Sequence, residues 1–271
     1  MLLLLSDLHL GRGTPAQTRA AERAAVALLR AHERALVPGP GSDGGTLVLL
    51  GDVYDQYVEY RHLVPKGAAR LVGALADLAD RGAEVVYVVG NRDPWHVDYF
   101  EDEVGATVVH GAWEGVRGGR ALYIAHGDGR RPSERLSLRL QPLLRAPLMA
   151  RLYRMGLPGD AGYALARWVS RRFGTDGTPD PAAAADLAAA ARDQLAASAA
   201  DVVAFGHSHR AALEATPHGT YLNPGYWFGD RTFARIDADG PALFRWRDDH
   251  EEALAAPPAR RPAPRPAAAL P

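Results

Sequence analysis

Five short apolar runs punctuate the chain, and each ends abruptly in polar residues. Leu2–Leu5 stops at Ser6-Asp7-Leu8-His9, Thr46–Leu50 runs into Gly51-Asp52, and Glu84–Val89 into Gly90-Asn91-Arg92-Asp93-Pro94. Ala121–Ala125 is followed by His126-Gly127-Asp128, and Asp201–Phe205 by Gly206-His207-Ser208-His209. Unbroken apolar runs of four to six residues are the pattern of strands covered on both faces. Between them the periodicity changes. Ala16–Leu36 has helical composition and is closed by Pro38-Gly39-Pro40-Gly41. Lys66–Asp80 carries Leu71, Leu75 and Leu78 on one helical face and ends near Gly82, and Pro181–Ser198 is an alanine-rich helix. Strand, loop, helix, strand is the rhythm of a layered α/β sheet, whose ligands sit beyond the carboxyl ends of the strands. Every polar motif lies at that end, so the motifs are expected along one edge of one sheet. Short alternating runs at 220–222, 232–236 and 242–246 suggest strands of a second sheet, and no repeat of solenoid period is present.

Arg130–Phe173 breaks this rhythm, mixing Leu, Tyr, Trp and Met with arginine and showing no strand pattern. Ten arginines stand there against Glu134 and Asp160 alone, a surplus of eight positive charges in a chain whose formal net charge is -1. One reading is a solvated helical insertion. The other is a basic, partly apolar cap suited to an anionic amphiphile or an anionic membrane surface. The 271 residues suffice for one large α/β domain. With no cysteine, thiolate metal sites, disulfides and cysteine nucleophiles are excluded. Leu2–Leu5 is interrupted far short of a signal-peptide core or a membrane span, so a cytoplasmic location is expected. Residues 1–250 are expected to form the domain, with 130–173 as the cap, and 251–271 a disordered Pro/Ala/Arg tail that loses all apolar periodicity from Ala256.

The motifs share one chemistry. In Asp7-Leu8-His9 a spacing of two puts a carboxylate and an imidazole on the same side of extended backbone. Asp52 follows a glycine and has two oxygens with which to bridge two ions; Asn91 adds an amide oxygen, His126 a nitrogen, and His207 and His209 can address two neighbouring ions. This nitrogen- and oxygen-rich, sulfur-free set suits Mn, Fe, Zn or Co better than calcium or copper(I). Two such ions would activate water and clamp a phosphoryl group, with no protein nucleophile required.

The five motifs, in this order, resemble those of the calcineurin-like metallophosphoesterase superfamily, over about residues 1–248. The resemblance implies a four-layer α/β/β/α sandwich with a helical cap inserted after the fourth motif. It implies that Asp7, His9, Asp52 and His209 hold one metal, and Asp52, Asn91, His126 and His207 the other. Many members have His where Arg92 stands. The Gly-Asn-Arg-Asp version is similar to that of the UDP-2,3-diacylglucosamine diphosphatases of lipid A biosynthesis. Gly51-Asp52-Val53-Tyr54-Asp55 also resembles that narrower family. The stretches Val64–Gly67 and Trp95–Phe100, and the arginine-rich insertion after His126-Gly127-Asp128-Gly129, resemble its Bacteroidetes-type branch. That likeness implies hydrolysis of a lipid-linked nucleotide sugar to UMP and an acylated glucosamine 1-phosphate. It further implies two divalent ions, manganese foremost, and transient contact with the cytoplasmic face of the inner membrane.

Catalytic parts fall by the same likeness to Asn91, Arg92 and Asp93, and substrate binding to Arg92, Arg131, Arg135 and Arg139. Leu136, Leu140, Leu143, Leu144, Leu148 and Leu152 would offer an apolar groove for acyl chains. Arg92 would stabilise charge on phosphoryl oxygens through a guanidinium matched to phosphate, or else pair structurally with Asp93 or Asp128. Two departures stand out: Tyr226 replaces an Asp in the turn Asn223-Pro224-Gly225-Tyr226-Trp227, and Arg131-Pro132-Ser133-Glu134 replaces glycine-, proline- or acid-rich residues. The competing readings are a phosphodiesterase or phosphatase on a nucleotide or phosphoprotein, and an inactive scaffold, which predicts substituted ligands where none is substituted. A nucleic-acid partner is not expected, since no basic groove with interleaved aromatics lies outside the insertion.

Overall fold

In the computed structural model of the chain, residues 1–130, 147–173 and 180–255 are described. Two β-sheets lie face to face, with helices on both outer surfaces. The first sheet has seven strands in the order β12-β11-β10-β1-β2-β3-β4. Its centre is parallel: β1 (Leu2–Leu5), β2 (Thr46–Leu50), β3 (Glu84–Val88) and β4 (Thr107–Val109). On the other flank β10 (Thr232–Ile236), β11 (Pro241–Arg247) and β12 (His250–Ala255) add antiparallel, with Leu2 opposite Ile236. The second sheet has the order β5-β6-β7-β9-β8, formed by β5 (Ala112–Arg117), β6 (Arg120–Ala125), β7 (Val202–Phe205), β8 (Ala212–Thr216) and β9 (Gly219–Asn223).

Period-two alternation explains why β1 is four leucines. Leu3 and Leu5 point outward with Leu47, Leu49, Val85 and Tyr87, onto the apolar faces of α1 (Pro15–Leu36) and α2 (Ala69–Asp80). Leu2 and Leu4 point inward with Val48, Leu50, Val86 and Val88, against Leu122, Ile124, Val202, Ala204 and Leu222 of the second sheet. On the far surface, residues Leu187, Ala188, Ala191 and Leu195 of one helix cover Ala125, Val203, Phe205 and Tyr221. The result is a four-layer α/β/β/α sandwich, and truncating one of these buried leucines to alanine costs about 2–5 kcal/mol.

Helix starts are set by local chemistry. Thr14 caps α1 through a reciprocal pair with Gln17, and Pro15 occupies the first turn. The helix expected from Lys66 starts instead at Ala69, because Ala68 adopts a left-handed conformation (φ 55°) that cannot continue it. Three short or peripheral helices follow: α3 (Tyr99–Asp102), then α4 (Pro147–Gly156) and α5 (Gly159–Phe173) of the insertion. The helix over the second sheet is α6 (Pro181–Ala197), capped by Asp180, and α7 is a single turn, Trp227–Asp230. No described helix is long and apolar enough to cross a membrane.

Three expectations are corrected. The motif-bearing strands do not share one sheet: β1, β2 and β3 lie in the first and β6 and β7 in the second, so the site forms where two sets of carboxyl ends converge. Conversely, the runs at 232–236 and 242–246 join the first sheet, while 220–222 joins the second. Both inner faces are apolar, so hydrophobic patterning marks a covered strand without naming its neighbour. Residues 251–255, expected in the tail, are strand instead, since His250–Ala255 pairs with β11. Residues 256–271 lie outside the described residues.

Candidate metal centre

Each of the seven candidate ligands sits in the loop that leaves a strand's carboxyl end: Asp7 and His9 after β1, Asp52 after β2, Asn91 after β3, His126 after β6, and His207 and His209 after β7. Five of them are in the left-handed region: Asp7 (φ 55°), His9 (41°), Asp52 (51°), His207 (65°) and His209 (56°). Non-glycine residues rarely tolerate this, and such strain concentrates at functional sites. The motif glycines have a packing reason. A Cβ on Gly51 (φ 74°) would fall on the His126 ring, and one on Gly90 on the Asp52 carboxylate. One on Gly206 would strike the Ser6 hydroxyl and lie 3.0 Å from Asp7 Oδ2.

The loops bring the side chains together in two overlapping groups, Asp7–His9–His209 and Asp7–Asp52–His126, all buried. In the first, the Nε2 atoms of His9 and His209 approach to 3.1 Å, and Asp7 Oδ1 lies 3.5 Å from one and 3.2 Å from the other. In the second, His126 Nε2 lies 3.6 Å from Asp52 Oδ1 and 3.2 Å from Asn91 Oδ1, and the rings of His126 and His207 are 5.2 Å apart. Asp52 Oδ2 reaches back to within 3.8 Å of His9 Nε2, so this carboxylate faces both groups. Asp7 does so too, a sharing that the motif spacing did not indicate.

This donor set fits divalent ions. Asp7 Oδ1 is buried and accepts no well-formed hydrogen bond from the described residues. Buried polar atoms are almost always satisfied, so an acceptor left over between two imidazoles marks a place for a cation. His126 Nδ1 donates to the Leu50 carbonyl (2.9 Å), which leaves Nε2 turned towards Asp52 and Asn91, as a ligating histidine requires. Burial alone would lower the proton affinity of His126; the carboxylates of Asp52, Asp7 and Asp128 overcome it and push the pKa up to about 9. Burial likewise opposes ionisation of Asp7, yet the histidines around it hold its carboxyl well below the usual range. The pocket is an anionic field suited to a cation.

Around the ligands runs a set of braces. Asp7 Oδ2 accepts from the Ser6 hydroxyl (2.6 Å) and the His207 amide (3.0 Å), coupling the first and last motifs. Asp52 Oδ1 accepts from the Arg92 amide at 2.8 Å. Asp93 is fully buried; its carboxylate accepts from the Gly90 amide (2.7 Å), the Val53 amide (2.8 Å) and the Tyr87 hydroxyl (2.6 Å). Burial and the nearby Asp52 charge push Asp93 up to about 6. Asn223 donates to the Gly206 carbonyl (2.9 Å) and Ser208 Oγ (3.1 Å), steadying the last motif.

Arg92 is nine-tenths buried, and its guanidinium donates to Ser170 Oγ on α5, so the insertion touches the edge of the centre. Arg131, Arg135 and Arg139, and the leucines at 136, 140, 143 and 144, lie outside the described residues. Of the expected apolar groove, Leu148 and Leu152 are described, and both are exposed. Arg12 and Glu59 stand outside the sequence motifs, yet each anchors a loop at the site. Arg12 bonds Asp55 at 2.7 Å. Glu59 is buried and accepts from the Tyr57 hydroxyl and the amides of Val97, Asp98 and Tyr99 at 2.9–3.0 Å. Neither lies in a motif; the only available signal was their nearness to the Asp7 and Asp52 segments.

Two convergent sheets thus hold a buried Asp–His–Asn set at their carboxyl ends, the donor set of a candidate divalent-metal centre. The chain is similar in sequence to proteins named UDP-2,3-diacylglucosamine hydrolase. The one from Porphyromonas gingivalis is 34% identical over 150 residues, which are 55% of this chain and 54% of that protein, so this match spans about half of the relative's length. The one from Ralstonia nicotianae is 28% identical over 233 residues, 80% of each. Among solved structures, the E. coli phosphoesterase Yfce aligns over 94% of this chain and 98% of its own with a TM-score of 0.47 and 17% identity. No protein-family model matches the chain.

Proposed function

We propose that the chain is a metal-dependent hydrolase that cleaves the pyrophosphate of UDP-2,3-diacylglucosamine, giving UMP and 2,3-diacylglucosamine 1-phosphate. The observation that carries this reading is the contact of Arg92, at the rim of the buried nitrogen–oxygen pocket, with Ser170 of the insertion. It puts a phosphate-matching cation between the hydrolytic centre and a helical hairpin rich in apolar and basic side chains. The substrate itself is supplied by the names of the relatives.

Asp7, His9, Asp52 and His209 would hold one ion, and Asp52, Asn91, His126 and His207 the other, manganese foremost. When bound, such ions supply activated water and neutralise charge on a phosphoryl group. Arg92 orients the phosphoryl oxygens and stabilises the charge that grows on them. Asn91 offers its amide oxygen to the pocket. Asp93 acts at one remove: by taking the amides of Val53 and Gly90 it fixes the Asp52 and Asn91 loops relative to each other. Leu148, Leu152, Met155 and Trp168 are exposed on α4 and α5 beside Arg151, Arg154 and Arg172. That mixture supports binding of acyl chains and transient contact with an anionic bilayer surface. Arg131, Arg135 and Arg139 are proposed to bind the substrate's phosphates.

The test is incubation of purified protein and manganese with UDP-2,3-diacylglucosamine or a generic phosphodiester, following UMP by chromatography. UMP release at a rate well above ester hydrolysis is expected. Fast ester hydrolysis without UMP would sink the lipid assignment in favour of a phosphodiesterase of other specificity. Deleting 131–173 is expected to spare the small ester and lose the lipid substrate; equal loss of both would make the insertion merely structural.

A further inference from the structure

Tyr226 stands where the resembled family has Asp, and its surroundings close into a ring. Its side chain stacks on the His209 imidazole with centroids 4.3 Å apart and planes 3° from parallel. Its hydroxyl receives Arg12 Nη1 at 3.4 Å. Arg12 Nε donates to Asp55 Oδ1 at 2.7 Å, and the same oxygen lies 3.5 Å from His9 Nδ1. The 3.1 Å approach of His9 to His209 completes the circuit. Five side chains from the segments after β1, β2, β7 and β9 thus brace one another, and only the two histidines are ligand candidates.

We infer that Tyr226, Arg12 and Asp55 are positioning residues that set the ring planes of His9 and His209, and with them the metal affinity of one half of the centre. The inference rests on the reading of the cluster as a divalent-metal pocket. A ligating imidazole needs its second nitrogen and its plane fixed from outside. Asp55 Oδ1 lies 3.5 Å from Nδ1 of His9, without hydrogen-bond geometry, and its charge favours the proton there, which leaves the Nε2 lone pair on the His209 side. His209 gets its plane from the Tyr226 stack, a contact that an aspartate could not make. Arg12 joins the two braces: its guanidinium is oriented by Asp55 on one side and steadies the Tyr226 hydroxyl on the other. Tyr226 is also held from the backbone, its amide donating to Thr232 Oγ1 at 3.0 Å, so the ring is anchored to β10. If Tyr226 only filled space, its removal would lower stability and affect both halves of the centre alike.

The experiment is titration of metal-stripped protein with Co2+, read by calorimetry and by the d–d absorption that reports coordination geometry. The wild type is expected to take up two ions. In Tyr226→Ala the affinity of one ion should fall about 10–100-fold with an altered cobalt spectrum, the other ion being unchanged. Tyr226→Phe keeps the stack and loses the link to Arg12, so it should restore most of that affinity. Arg12→Ala should weaken the same ion, and Arg12→Ala/Tyr226→Ala should be no worse than the weaker single variant, as expected of members of one network. Unchanged affinities and spectrum in Tyr226→Ala would overturn the inference alone. So would weakening of both ions in step with a lower Tm and no rescue by Phe. A wild type that takes up no cobalt would overturn the metal reading together with the inference.

Discussion

The Nε2 atoms of His9 and His209 stand 3.1 Å apart although 200 residues separate them in the chain. Both face Asp7 Oδ1, a buried acceptor. One proton shared between the imidazoles leaves that oxygen unanswered, whereas a divalent cation satisfies all three atoms at once. Metal should therefore stabilise the fold: at a free concentration one hundred times its Kd, each site adds about 2.7 kcal/mol. Calorimetry with EDTA and then with manganese should show Tm rising with metal in the wild type, and His209→Ala should lose much of the rise along with turnover. A wild-type Tm indifferent to manganese would count against the centre.

Gly51 gives a sharper test of how the loops are built. Its φ of 74° is costly for any L-residue, by roughly 1–2 kcal/mol, and a Cβ there falls on the His126 ring. Gly51→Ala should therefore impair metal uptake far more than Gly73→Ala, since a Cβ at Gly73 on α2 meets nothing. Comparing manganese binding by the two variants separates local displacement of His126 from a general effect of the substitution.

The contrast between these glycines also shows what could be read from the chain. Leu2–Leu5 and Thr46–Leu50 have the limits expected from apolar runs bounded by polar residues, because a doubly covered strand favours an unbroken apolar run, and Thr232–Ile236 has the limits expected from its alternation. The meeting of Asp7, His9, Asp52, His126 and His209 was legible for a related reason: polar residues set directly after covered strands emerge at the strands' carboxyl ends. Sheet membership was not, because the partner of Leu2 is Ile236, and nothing in either short run encodes a pairing at that distance. Arg12, Asp55 and Glu59 escaped functional assignment on the same ground. A brace is defined by which loops meet, and ordinary charged residues become braces only once they do. Tyr226 was visible as a departure, but its stack on His209 required the fold.

His96 makes stability fall in acid. Its ring is buried against Tyr57, Tyr87 and Phe100, and neither nitrogen has a hydrogen-bond partner among the described residues. Burial, with a smaller contribution from the charge of His110, pulls its pKa from 6.5 to about 3. Above pH 6.5 both folded and unfolded chains carry it neutral, so it adds no pH slope. Between 6.5 and about 3 the unfolded chain binds a proton that the folded chain refuses, so stability is lost as pH falls, by about 1.4 kcal/mol per unit. His96→Phe should remove that slope and gain about 1–3 kcal/mol at pH 7 by deleting unsatisfied polar atoms. Urea unfolding at pH 7 and pH 5 checks both; equal slopes in the two proteins would exclude His96 as the source.

Glu59 ties the insertion to the loop that carries Arg92. Its carboxylate gathers three successive amides, Val97 to Tyr99, while its own carbonyl accepts from Arg154 of α4 at 3.3 Å. Trp95, whose carbonyl accepts from the Glu59 amide, packs on Tyr153 with centroids 4.6 Å apart. Glu59→Gln points an amide donor at backbone donors and should cost about 1–3 kcal/mol. Steady-state kinetics should show a higher KM for the acylated substrate with kcat on a small phosphodiester unchanged. A proportional loss on both substrates would mean that Glu59 serves the fold alone.

Arg92 carries the last and most discriminating prediction. Its amide is fixed by Asp52 at 2.8 Å, and its guanidinium reaches Ser170, so backbone and side chain are held from the metal pocket and the insertion respectively. A guanidinium presents two parallel donors to a phosphoryl group, whereas an ammonium acts as a point charge. Removing one such preorganised donor typically costs about 10²–10³ in kcat. Arg92→Ala should show a loss of that order on the pyrophosphate substrate, and Arg92→Lys should recover little of it despite keeping the charge. Ser170→Ala removes only the tether, so it should spare the small ester and lower kcat/KM for the acylated substrate, where insertion and centre must act together. Wild-type activity in Arg92→Lys would show that charge alone suffices. Equal losses on both substrates in Ser170→Ala would show that Ser170 supports Arg92 itself and does not couple it to the insertion.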